Sequence, residues 1–115
     1  MGGNEWFVAA FHADGALHWL VPLPVKSRHH WVYSIAETSR DVILNGRFTG
    51  SFSVGDQTVT SRAAAGFLAA VRPQDGRVQW LRAAAGPEGG ALEEVVVDRD
   101  RLFVSGWAGG PLSFP

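Results

Sequence analysis

The 115-residue chain has no cysteine, which excludes disulfides and thiolate metal sites and leaves the compartment open. An excess of charge of one sign is also missing. The formal net charge is −1, so there is no broad basic field to hold nucleic acid or an anionic membrane. Lys26 is the single lysine beside nine arginines, which we read as the coding bias of a GC-rich bacterial genome rather than phosphate recognition. No apolar run approaches the ~20 residues of a membrane span. The opening MGGNEWFVAAFHADG has no basic region, and His12 and Asp14 break its apolar run, so it is not read as a signal peptide.

What is present is an ordinary globular balance, 46% hydrophobic and 18% charged, enough for one modest domain. The apolar residues fall into short runs separated by turn signals, and the runs occur twice. WFVAAFHADGALHWL from Trp6 is answered by GFLAAVRPQDGRVQWL from Gly66, and VILNGRFTGSFS from Val42 by LFVSGWAGGPLSF from Leu102. Phe7 and Phe67 stand sixty residues apart, as do Gly46 and Gly106, while Trp19 and Trp80 stand sixty-one apart. Asp14-Gly15 and Asp75-Gly76 are hairpin signals, because both turn positions tolerate positive φ. Pro22 and Pro24 are expected to end regular pairing. Glu37–Arg40 and Asp98–Asp100 read as further turns, and short runs near Phe52 and Gln57–Thr60 read as edge pieces. Alanine-rich Ala63–Ala70 competes for helix. Its counterpart Phe7-Val8-Ala9-Ala10-Phe11 is β-branched and aromatic, so strand is expected for both.

These runs predict an all-β chain of two four-stranded antiparallel meander units. The first unit is 1–65, with a linker at 53–65, and the second is 66–115. The pattern FVAAFHADGALHWL, VILNGRFTGSFSVGDQTVTS, GFLAAVRPQDGRVQWL, then EVVVDRDRLFVSGWAGGPLSF resembles the bacterial β-propeller repeat family, of the seven-bladed repeat type, over nearly the whole chain. It departs from that family at Tyr33–Glu37 and at Pro22, Pro24 and His29-His30. The resemblance implies blade-like units, a secreted or cell-surface setting, no catalytic residues and no cofactor. Propellers have about 4–8 blades, so two units are expected to be part of a longer array in cis or of a homo-oligomer in trans. Three or four chains would supply about 6–8 blades.

The chemistry-bearing residues are few. Adjacent His29 and His30 would point to opposite faces of a strand, which disfavours a shared metal. His12 and His18 are expected to face each other across the first hairpin. Asp98-Arg99-Asp100-Arg101 alternates charge and lacks the glycine of a calcium loop, so it reads as a salt-bridged turn. Glu93-Glu94 should face opposite sides of a strand and not act as an acid/base pair. No G-x-S-x-G nucleophile elbow and no phosphate loop occurs. The Trp19 and Trp80 rings are expected to fill gaps between neighbouring sheets. The expected function is therefore a non-catalytic scaffold meeting a protein or polysaccharide partner. A carbohydrate-binding alternative would stack sugars on Trp31, Tyr33 or Trp107. A quinoprotein-like enzyme fragment is the third reading, since D-G-x-x-x-W elements also occur in such repeats.

Overall fold

Strand pairing among the described residues is antiparallel throughout, and within each sheet consecutive apolar runs meet across a short turn. The structure, a computed structural model, describes residues 6–23 and 31–114, the side chain of Trp31 excepted. Eight strands follow in order: β1 (Trp6–Phe11), β2 (Leu17–Leu23), β3 (Trp31–Glu37), β4 (Val42–Val54), β5 (Gln57–Val71), β6 (Val78–Ala84), β7 (Gly90–Asp98) and β8 (Arg101–Ala108). Among the described residues there is no helix. Pro24 and the Lys26–His30 stretch, with His29 and His30, lie outside the described residues.

The strands are grouped as hairpin β1–β2, sheet β3–β4–β5–β6 and hairpin β7–β8. This differs from the two sequential four-stranded meanders expected. The four-stranded sheet takes β3 and β4 from the first sequence copy and β6 from the second, while β5 runs from one into the other, because β4 and β5 form one long hairpin through the place where a linker was expected. The runs near Phe52 and Gln57–Thr60 are the far arms of that hairpin rather than separate edge pieces. Its loop is Gly55-Asp56, closed by the Val54↔Gln57 pair. Gly55 has φ +60°, the positive value a two-residue hairpin loop requires at its first position. The expected unit boundary between residues 65 and 66 falls inside β5.

Pro22 does not end pairing: it sits opposite Phe7 within β2. Proline is tolerated there because β2 is the outer strand of its hairpin among the described residues, with one ladder side free.

The registers of the hairpins correspond. Phe7↔Pro22, Ala9↔Leu20 and Ala10↔Trp19 in β1–β2 match Phe67↔Ala83, Ala69↔Leu81 and Ala70↔Trp80 in β5–β6, and both carry a register shift after the last pair. Val32↔Gly46 and Ser34↔Asn45 in β3–β4 match Leu92↔Gly106 and Glu94↔Ser105 in β7–β8, again with a bulge at the same step.

Where β4 and β5 pair from Val42 to Phe48 the sheet is covered on both faces and burial runs on without alternation, whereas the far arm Gln57–Arg62 alternates half-buried with exposed residues. On one face Leu44, Phe48, Phe52, Phe67, Ala69 and Leu81 pack with Val8, Val21 and Leu23 of the β1–β2 hairpin. On the other, β7 packs against β5 and β4. Buried Asn45 ties these layers. It accepts a hydrogen bond from Ser34 Oγ, and its Nδ2 donates to the carbonyl of Leu92 at 3.1 Å. Trp19 crosses the first interface, its indole N–H donating to Pro73 O at 2.6 Å.

Candidate functional site

Exposed apolar side chains gather at two sheet edges. The first is the edge of β8 that has no partner strand among the described residues. A groove of about 350 Å³ there is lined by Val104, Gly106, Trp107, Leu112 and Phe114, with Ala84 as part of its floor. Trp107, Leu112 and Phe114 are each at least half exposed. The second is the edge of β1 that is likewise unpaired among the described residues, where a groove of about 300 Å³ is lined by Trp6, Phe7, Ala9, Tyr33 and Ile35. Phe7, Tyr33 and Ile35 are exposed along it. A free edge offers unpaired N–H and C=O groups, and beside exposed aromatics it is a ready surface for another strand.

Of the residues expected to stack on a sugar, Tyr33 and Trp107 are exposed but line different grooves, so they do not form one platform. The side chain of Trp31 lies outside the described residues. Tyr33 owes its position to backbone irregularity. The β3–β4 register shifts between Val32 and Ser34, and such a bulge re-aims the extra side chain. The matching bulge in β7 falls at Glu93, so Glu93 and Glu94 are both exposed instead of alternating.

Other polar groups are engaged locally. His12 and His18 do meet across the first hairpin, ring centroids 4.5 Å apart. Among the described residues no group of three histidine or carboxylate side chains could hold a metal ion. Asp98 pairs with Arg101 at 3.4 Å on the surface. An open cleft of about 740 Å³ contains Gln57, Arg72, Asp75 and Gly76. There Gln57 Nε2 donates to Gln79 O, and its Oε1 accepts from the Leu81 N–H. Arg72 and Asp75 form an ion pair across the turn.

That pair has a titration consequence. The hydrogen bond from the Arg72 side chain, and then the Arg77 backbone N–H, hold the Asp75 carboxyl down to about 2. A carboxylate with a lowered folded value stabilises the fold above its unfolded value of ~3.9, and that contribution is lost as pH falls toward the folded one. A carbon-detected NMR titration is expected to place the Asp75 midpoint near 2. The Arg72→Ala substitution should raise it toward the ordinary carboxylate range, with the Arg77 backbone N–H still holding it below that range, and a midpoint unmoved by it would refute the ion-pair cause.

Sequence reading missed Asn45, Leu112 and Phe114. For the last two the sequence held half of the signal: they occupy the repeat positions of Phe52 and Val54, whose burial the structure supplies. Searches against family models, curated proteins and solved structures give no match for this chain.

Proposed function

We propose that the chain is a non-catalytic repeat segment of the β-propeller type, acting as a structural and interaction scaffold. The observation that supports this is the hairpin correspondence. Two hairpin types recur at a sixty-residue spacing with the same pairs and the same bulges. In a repeat array each unit buries its faces only against its neighbours, so stability rises as units are added and ends are covered. On this reading the stacked layers are successive blades, and the turns Asp14-Gly15 and Asp75-Gly76 repeat at one rim.

The test is a covalent head-to-tail tandem of three copies joined by short Gly-Ser linkers. It is expected to unfold in one cooperative transition well above the melting temperature of the single chain. Three copies melting independently at the single-chain temperature would refute the repeat-scaffold reading.

Exposure of Tyr33 and Trp107 favours one second reading, a polysaccharide surface. A glycan array retaining the chain, with retention lost in Tyr33→Ala or in Trp107→Ala, would replace a purely structural role by saccharide binding at the corresponding groove.

A further inference from the structure

We propose that the free edge of β8 pairs with the free edge of β1 of a second copy of this chain, completing a four-stranded sheet between them. This rests on the repeat-scaffold reading and adds the partner and the register.

The β7–β8 hairpin has the pairing of β3–β4, and the β1–β2 hairpin has the pairing of β5–β6. The central sheet shows how these two hairpin types join. There β4 pairs with β5, with Ile43↔Ala70, Leu44↔Ala69, Asn45↔Leu68 and Gly46↔Phe67. Moving each strand by one sixty-residue repeat converts these pairs to Phe103↔Ala10, Val104↔Ala9, Ser105↔Val8 and Gly106↔Phe7. The end hairpins therefore carry complementary halves of the sheet that the middle of the chain builds whole.

Burial shows which side chains await cover. Phe7 is 61% exposed and Phe103 53%, whereas their central counterparts Phe67 and Ile43 are 0% and 2% exposed. Phe11, Val104, Leu112 and Phe114 are likewise exposed where Val71, Leu44, Phe52 and Val54 are buried. Both apolar grooves flank these two edges, and pairing in the stated register would place strand backbone along each. A second contact follows from the same shift. Trp19 donates to Pro73 O on the next sheet. Its counterpart Trp80 would donate to the Ala13 carbonyl of the second copy. Two copies joined at one edge leave one β1 edge and one β8 edge open, so the contact is heterologous and extends until a ring closes.

The absence of cysteine makes disulfide trapping clean. Full-length Val104→Cys and Ala9→Cys chains, mixed and oxidised, are expected to give a disulfide-linked heterodimer, identified by peptide mass spectrometry. The slipped pair, Phe103→Cys with Ala9→Cys, is expected to give none, since a one-residue slip turns the side chains to opposite faces. In parallel, Phe7→Asp should convert the sedimenting oligomer to a monomer with an unchanged far-ultraviolet spectrum, because Phe7 is exposed within the chain. A wild-type chain that stays monomeric at every concentration, equal trapping in both pairs, or an oligomer that traps neither would each overturn the proposal. A tandem that melts cooperatively while free copies stay monomeric or trap in another register would keep the scaffold reading and overturn only this contact, whereas tandem copies that melt independently would overturn the scaffold reading as well.

Discussion

Phe67→Ala is expected to destabilise the chain by about 3–5 kcal/mol, the range for deleting a buried phenylalanine ring. That is a large share of the ~5–15 kcal/mol that holds a small domain folded. Phe67 is fully buried on β5, with its ring centroid 4.4 Å from that of Phe52, which in turn stacks 5.7 Å from Phe48. These rings sit where the central sheet meets the β1–β2 hairpin, so the cavity would open between layers rather than at a yielding surface. Chemical denaturation at concentrations where the chain is monomeric measures the cost. Phe7→Ala, at the matching repeat position, is the informative comparison. It removes an exposed ring and is expected to change stability by no more than about 0.5 kcal/mol under the same conditions. Equal costs at the two positions would mean that the two hairpins have equivalent surroundings, against the burial seen.

That contrast separates what the sequence carried from what it did not. All-β character was readable from the short apolar runs and the Asp-Gly turns, and even alanine-rich Ala63–Ala70 is strand, as its counterpart Phe7–Phe11 implied. Grouping was not readable. Hydrophobic pattern marks which residues want burial, but it does not say whether Val42–Arg47 pairs next with the run before it or the run after. In the structure it pairs with both, and the Gly55-Asp56 loop decides the second pairing by turning β4 straight into β5. Tyr33 was found as an exposed aromatic, yet the bulge that aims it leaves no mark in residue type. Asn45 was invisible for a related reason. A lone asparagine on an apolar run gives no sign that its amide will bridge two sheets, and its repeat counterpart is Ser105. The grooves at β1 and β8 could have been located by asking which residues of one copy are apolar where the other copy is buried, a question that needs the buried set first.

Gly66→Ala should be nearly as damaging as loss of Phe67, although the repeat position holds a tryptophan, Trp6, in the first hairpin. A Cβ at Gly66 would lie 2.4 Å from the backbone nitrogen of Leu92 and 2.5 Å from its Cγ. No left-handed backbone is involved, so the requirement is one of spacing between β5 and β7. Overpacking of this kind costs about 1–3 kcal/mol by itself. The shift it forces also pulls the Leu92 carbonyl from Asn45 Nδ2, now 3.1 Å away, and a buried amide left without its acceptor adds about 1–3 kcal/mol. The companion variant decides between side chain and backbone as the obstacle. If backbone spacing rules, Leu92→Ala will not rescue Gly66→Ala in a denaturation experiment, because the nearest atom belongs to the main chain. Rescue to the stability of Leu92→Ala alone would show that the leucine side chain sets the gap, and that the two layers can approach more loosely than Asn45 requires.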